Sequence, residues 1–375
     1  MRNRALGRSG IEVSEIGLGG HREGVEALPH VARSARYFLP AQQRARVVGR
    51  AIDGGVTYFD TTYGCEIESL GESLRILRRR EGLFVSGMRV DFFKCFQAED
   101  VDARAYTRRE VEGRIREFGF DRIDQFLLGA LDIGDTLGGD RSVIEDALDE
   151  LGRLREEGKV GLVGFSCHSP DYAGRLLEAF PAFETVMTPY NFVNREAEGA
   201  LAEALDKTGA AWVAMKPLVW HVYGLPVTVL RNLAPDGAPA GIDANAPISA
   251  LALRFILANP RVATIVPAVN SVEAMAENLS AADAGELTGA ESAQLQAYAD
   301  AMEADDMVPL AIGGLLEENL RVRTHAIGLA ADRLGLEVPP LDPCADDAED
   351  RARGAASDIL ARLRREARWA PYIPG

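Results

Sequence analysis

Between residues 83 and 269, short runs rich in branched and aromatic side chains alternate with longer stretches in which apolar positions return every three to four residues. The runs "LFVSGM" (83–88), "IDQFLL" (123–128), "VGLVGFS" (160–166), "TVMTPY" (185–190), "AAWVAMKP" (210–217) and "VATIVPAV" (262–269) are apolar without strict alternation. That is the pattern of strands buried on both faces. With "EIGLGG" (15–20) and "VTYFD" (56–60) they make eight. Helical periodicity predicts helices near 42–53, 67–80, 107–118, 142–157, 170–179, 195–207, 246–258 and 271–283, several opening on an acidic turn or a Ser or Asn cap. Eight strand–helix units in series predict an α/β fold closed as a (β/α)8 TIM barrel rather than an open doubly wound sheet. Two short runs around Arg8-Ser9-Gly10 predict an N-terminal hairpin that plugs the bottom of the barrel.

The barrel is expected over residues 1–284, followed by a helical extension over 285–375 that packs on it or covers it. Within the extension, helices are predicted at 288–304, 315–336 and 351–369, with a Pro/Asp-rich linker at 337–350.

In such a barrel the chemistry sits where strands end, at one mouth. That places Asp60 to Cys65, Met88 to Lys94, Gly129 to Asp132, Ser166 to His168, Tyr190 and Asn191, Lys216 to His221, and Ala268 to Ser271 in one ring. Charge narrows what can bind there. The 375 residues carry 57 acidic and 41 basic side chains, a net charge of −16, which argues against nucleic acid and anionic membrane and leaves a small molecule as the expected partner. Cys65, Cys95, Cys167 and Cys344 are too far apart for a zinc site or a disulfide framework, so no metal is expected. No segment has the length and apolarity of a membrane span or a signal sequence, and a cytoplasmic, reducing compartment is expected. "GLGG" (17–20) lacks the spacing of a dinucleotide phosphate loop and reads as a strand-end turn.

The motifs "LGRSGIEVSEIGLGG", "AIDGGVTYFDTTYG", "GKVGLVGFSCHSP", "TPYNFVNREAE", "VAMKPL" and "IVPAVNSVEAMAENL" together resemble the aldo-keto reductase family, from about Arg4 to Leu279. The resemblance implies hydride transfer between NAD(P)H and a carbonyl, alcohol or imine. It also implies a tetrad of Asp, Tyr, Lys and His, in which a cation brings the tyrosine into range as an acid. Asp60 and Tyr63 match the first two, as orienting carboxylate and acid/base, across a loop two residues shorter than in the family. Met88 stands where the lysine would end its strand, and Gly129 where the histidine would stand. Arg89, Lys94 or His168 are the expected stand-ins.

For the cofactor, the resemblance implies contacts from Ser166, Asn191, Lys216, Leu218, Asn270, Ser271, Glu277 and Asn278. Leu218 and Ser271 lie at phosphate positions, where a helix N-terminus favours an anion. Glu277 and Asn278 match an adenine-contacting pair. Asn270 replaces the cation that would hold a 2′-phosphate, so the NADH or NADPH preference stays open. Two further readings stand beside the redox one: a non-redox barrel enzyme such as a lyase, dehydratase or isomerase, and a nucleotide-sensing subunit. His21 is weighed between substrate contact and solvation. Cys65 and Cys167 read as small filler rather than nucleophiles. The extension is a candidate lid or homo-oligomer contact.

Overall fold

The computed structural model describes residues 1–20, 41–99, 101–219, 225–233, 247–304, 308–318, 320–338, 341 and 347–374. The chain opens with β1 (Asn3–Ala5) and β2 (Glu12–Ser14), an antiparallel hairpin pairing Asn3 with Ser14. Its turn ends on Gly10 at φ 74°, a left-handed conformation that suits glycine. Leu6 and Val13 pack with Tyr58, Phe84, Leu162, Ala211 and Ala263, all at or near the starts of barrel strands, so the hairpin does plug the bottom. Glu15 follows, fully buried, with Arg2 and Arg4 each 3.0 Å from its carboxylate. A buried charge there is tolerable because it is paired and hydrogen-bonded.

The barrel is then built in chain order. It runs α1 (Ala41–Asp53), β3 (Tyr58–Thr61), α2 (Gly64–Leu77), β4 (Phe84–Arg89), α3 (Phe92–Gln97), α4 (Ala103–Phe118), β5 (Ile123–Leu128) and α5 (Arg141–Glu156). It continues with β6 (Val160–Ser166), α6 (Pro170–Ala179), β7 (Thr185–Pro189), α7 (Ala200–Thr208), β8 (Ala211–Met215), α8 (Ile248–Leu257), β9 (Val262–Ile265) and α9 (Val272–Asp283). Strands β3 to β9 form one parallel sheet in sequence order. The expected first stave, 15–20, makes only isolated parallel bridges, Ile16 to Ile265 and Leu18 to Phe59. It still closes the ring: the Gly17 amide donates to the Ile265 carbonyl at 2.7 Å, and the Asp60 amide to the Leu18 carbonyl at 2.8 Å. Glycine is required in this squeeze, since a Cβ at Gly17 would stand 2.9 Å from the Tyr58 carbonyl oxygen.

Two apolar layers follow from strand alternation. Tyr58, Phe84, Met88, Leu127, Met187 and Val213 fill the barrel, while Phe59, Val85, Phe126, Phe165, Val186 and Trp212 meet the surrounding helices. Beyond the barrel lie α10 (Gly289–Ala304), α11 (Val308–Leu315), α12 (Leu320–Leu334) and α13 (Ala348–Leu363). They share a separate core with Phe192, the turn at 227–232 after β8, and Ile248 and Leu251 of α8. The single helix expected over 315–336 is instead the end of α11 and the whole of α12. Half of the expected linker at 337–350 lies outside the described residues, and its last residues, from Ala348, already belong to α13. No helix among the described residues is long and apolar enough to cross a membrane.

Candidate active site

Asp60 is the third residue of β3, in the inward register two places above Tyr58, and is 5% exposed. Its carboxyl meets the Ser86 hydroxyl and the Thr61 backbone, but Oδ1 is buried without a hydrogen-bond partner. Ser86 also accepts from Gln125 Nε2 at 3.3 Å, and the same amide donates to the Tyr58 hydroxyl at 3.0 Å. Burial, then the charge of Glu66, push the Asp60 carboxyl up to about 7, against weaker opposing hydrogen bonds. At the end of β4, Met88 is a buried thioether. Its Sδ lies 3.7 Å from the Ser166 hydroxyl, which itself accepts the Ala130 amide at 2.9 Å. Gly129 leaves no room for a side chain. A Cβ there would be 2.7 Å from the Arg89 carbonyl oxygen and 2.8 Å from the Val90 Cα.

Tyr63 is the N-cap of α2, in extended conformation and half-buried. Glu66, three residues on, accepts the Thr62 and Tyr63 amides at 2.8 and 3.3 Å, so its carboxylate is fixed under the loop that carries the tyrosine. Beside Glu66 lies Arg44 of α1, 3% exposed, which donates to the carbonyls of Val269 at 2.9 Å and Gly19 at 3.5 Å. Burial lowers the Arg44 pKa to about 10, against the pull of Glu66. Both residues were missed in the sequence, although each leaves a signal. Glu66 stands at the third position of a helix before an apolar run. Arg44 shares the buried stripe of Val47, Val48 and Ala51.

The expected stand-ins separate. Arg89 follows inward-facing Met88 and therefore points outward. Its Nε donates to the Tyr106 hydroxyl and reaches the Glu110 carboxylate of α4, both at 2.9 Å. These contacts tie Arg89 to α4, on the opposite side of the strand from Met88. Lys94 is exposed on α3. His168 does stand at the mouth: its amide donates to Asp132 Oδ2 at 3.0 Å, and its Nδ1 lies 3.8 Å from Oδ1 of the same residue. Cys167 is buried, its thiol pushed up by burial and then by Asp132, which fits inert filler. His21 and His221 lie outside the described residues.

On the cofactor side, the loops after β7, β8 and β9 are well tied. Asn191 is fully buried; its amide nitrogen donates to the carbonyls of Lys216 at 3.0 Å and Val219 at 2.7 Å, and its oxygen accepts the Val193 and Asn194 amides. It therefore staples two mouth loops rather than presenting a free amide. Lys216 is half-buried at φ 54°, in the left-handed region, with Leu218 half-buried beyond it. Ser271 caps α9, accepting the Ala274 amide at 3.0 Å. Half-buried Asn270 has a buried Oδ1 with no partner. In α9, Glu277 faces out and Asn278 faces in. A nicotinamide dinucleotide fits this set at its phosphate and ribose end, where a capped helix N-terminus and an orphaned amide oxygen coincide.

At the opposite face, a cleft of about 570 Å³ is lined by Arg2, Arg4, Arg254 and Arg261. All four are paired, with Glu15, Glu291 or Asp206. The mouth, with its orphaned carboxyl oxygen, is the better site. Among the described residues no group of His, Cys, Asp and Glu side chains could hold a metal.

The sequence profile of the aldo/keto reductase family matches residues 16–220, more than half of the chain. The chain belongs to the aldo/keto reductase family. Family relatives include the uncharacterized oxidoreductase YqkF of Bacillus subtilis (strain 168), 23% identical over 325 residues, covering 80% of this chain and 96% of that one. The L-galactose dehydrogenase of Arabidopsis thaliana is 23% identical over 300 residues, covering 74% and 87%. Among solved structures, the holo form of aldo-keto reductase AKR11C1 from Bacillus halodurans superposes with a TM-score of 0.59 at 21% identity, covering 79% of this chain and 95% of that one. An aldo-keto reductase from Klebsiella pneumoniae in complex with NADPH gives 0.57 at 22%, covering 79% and 94%. The family's barrel is thus the frame on which Met88 and Gly129 stand.

Proposed function

We propose that the protein is an NAD(P)H-dependent oxidoreductase that exchanges hydride with a carbonyl, alcohol or imine carbon of a small molecule, at the C-terminal mouth of the barrel. The observation that carries the reading is Asp60: a buried carboxyl with one oxygen lacking a hydrogen-bond partner, at the strand end where this family does its proton chemistry. Ser271 and the α9 amides would hold the dinucleotide phosphates, with Leu218 and Lys216 across from them and Asn270, Glu277 and Asn278 toward the adenosine. Ser166 and the loop stapled by Asn191 would flank the ring. When bound, the cofactor supplies or removes a hydride. The Asp60 and Tyr63 end of the mouth handles the proton, and His168, braced by Asp132, orients the substrate oxygen. The tetrad is non-standard because a thioether and a glycine replace its cation and its imidazole. An amide at position 270 accepts a ribose hydroxyl but offers no full charge to a 2′-phosphate, so NADH is expected to bind at least as tightly as NADPH.

Residues 285–375 are read as a covering extension that fixes the loops after β7 and β8 around a pocket for a small molecule. No step calls for nucleic acid or membrane, and a cytoplasmic setting and self-association through the extension remain part of the proposal. The test is fluorescence titration of the full chain with NADH and NADPH, followed by stopped-flow bleaching of the bound reduced cofactor with aldehydes, ketones and imines. Saturable binding and bleaching are expected. Binding of neither cofactor would overturn the reading.

A further inference from the structure

The cleft of about 570 Å³ at the bottom of the barrel is the meeting place of three stretches far apart in sequence. They are the hairpin from Arg2 to Gly7, the end of α8 with the start of β9, and the turn after α9 that leads into the extension. Its volume falls within the range of about 300–1,000 Å³ that small-molecule sites occupy. The lining divides by chemistry. Ala5, Ala210, Ala211, Ala263, Ala281 and Ala282 offer small apolar surfaces, while the charged lining is four arginines and one carboxylate, Glu286. In a chain of net charge −16, that wall is a local reversal of sign. The four arginines are not equally committed. Arg4 bonds Glu15 and the carbonyls of Leu257, Asn259 and Val262 at 2.5, 3.2 and 2.9 Å. Arg254 likewise holds Glu291 and the carbonyls of Gly285 and Glu286. These two answer the carbonyl ends of α8 and α9, which would otherwise turn an anion away. Arg2 and Arg261 are different. Arg2, its side chain 65% exposed, meets Glu15 through Nε, and Arg261, 43% exposed, holds Asp206 through Nε and Nη2. Among the described residues, neither Nη of Arg2 nor Nη1 of Arg261 has a hydrogen-bond partner.

We propose that this cleft is a second ligand site, for a small organic anion with an apolar body: an aryl or short alkyl carboxylate or phosphate. The alanines receive the body, and the unused N–H groups of Arg2 and Arg261 take the anionic oxygens in charge-assisted bonds, with the existing ion pairs left intact. Glu15, Glu291, Asp206 and Glu286 already stand against the four guanidiniums, so a single anionic group suits the site and a polyanion does not. A ligand there touches the hairpin, the α8–β9 turn and the junction with the extension at once. Those surfaces come together only in the folded chain, so binding raises the unfolding temperature. The proposal does not rest on the oxidoreductase reading, whose residues lie at the other end of the barrel.

Thermal unfolding of the full chain with benzoate, phenyl phosphate or inorganic phosphate, each compared with NaCl at the same ionic strength, tests this. Benzoate and phenyl phosphate are expected to give a saturable rise of about 2 °C or more, and inorganic phosphate a smaller one, because it leaves the alanines uncovered. The rise should vanish in the double variant Arg2→Gln, Arg261→Gln. It should also vanish in Ala258→Phe, which adds bulk to the lining at an exposed position and leaves every arginine in place. It should persist in Arg79→Gln, which removes an exposed ion pair elsewhere. Saturating NADH should not displace it. Benzoate and phenyl phosphate acting only as NaCl does, an equal rise with inorganic phosphate, a rise that survives both cleft variants, or one that NADH abolishes would each overturn the proposal. The shift is read in cofactor-free protein, so a failure of NADH to bind is a separate result.

Discussion

At the scale of single residues, Asp60 is destabilising in its charged form, and pH reveals it. Its native pKa, pushed up to about 7, lies above the ordinary carboxylate value of 3.8. The native state therefore binds the proton more tightly than the unfolded chain. The sign follows: the stability tied to this group is fully present below about pH 4, is lost as pH rises through about 7, and is constant above that. Three units of pH correspond to about 4 kcal/mol as an order of magnitude. Asp60→Asn is expected to lack this slope and to be more stable than the parent above about pH 7 by a few kcal/mol, measured by urea unfolding at about pH 5 and pH 8. A parent whose advantage grows on going alkaline would instead mean an ion-paired Asp60. Part of this site was legible in the sequence, because "FDT" followed by Tyr63 marks a strand end, and Met88 and Gly129 stand at motif positions. The direction of Arg89 was not read from its position at the mouth, although its neighbour Met88 faces inward and adjacent strand residues face opposite sides. Arg44 left only its place on the buried stripe of α1 as a signal, because its partners, Gly19, Glu66 and Val269, come from three separate loop or helix ends.

At the scale of elements, β3 to β9 and helices α4 to α6 were readable because their periods are unambiguous, whereas α11 was not. "VPLAIGGL" is buried at every position, so it shows no amphipathic stripe for a periodicity argument to find. What holds α11 is close backbone approach. A Cβ at Gly313 would lie 2.3 Å from the Val229 carbonyl oxygen, in the turn that follows β8. Gly313→Ala must push α11 off that turn and is expected to cost about 1–3 kcal/mol. Gly328 in α12 is the control: it is exposed with nothing within 4 Å of a Cβ, so Gly328→Ala is expected to be neutral or to stabilise by up to about 1 kcal/mol. Thermal unfolding of the two variants gives opposite signs if contact with the turn, rather than helix propensity, governs α11. The first stave, 15–20, was read as a strand and is one in function only. Its glycines allow the chain to lie between β3 and β9 closely enough to bond both, yet leave too few paired residues for a regular ladder.

At the scale of the whole molecule, burial joins the extension to the loops of the barrel mouth, and charge joins it to the opposite face. Leu225, Val227, Val229 and Leu230 after β8, with Ile248 and Leu251 of α8, share a core with Leu295, Leu310, Ile312 and Ile359 of the extension. Arg254 of α8, 8% exposed, is held by the carbonyls of Gly285 and Glu286 at 3.0 and 2.6 Å and by Glu291 at 2.6 Å. Removing residues 285–375 would therefore uncover a contiguous apolar surface and leave a formerly buried guanidinium without its partners, two independent penalties. A chain ending at Ala284 is expected to bind a hydrophobic dye, to unfold at a lower temperature than the full chain, and to aggregate despite the high net negative charge of the protein. An Arg254→Leu change in the truncated chain removes the second penalty and not the first, so it should recover part of the lost stability while dye binding persists. If the truncated barrel unfolds at the temperature of the full chain and stays dark to the dye, the loops after β7 and β8 do not depend on the extension, and its place in shaping the mouth falls with that dependence.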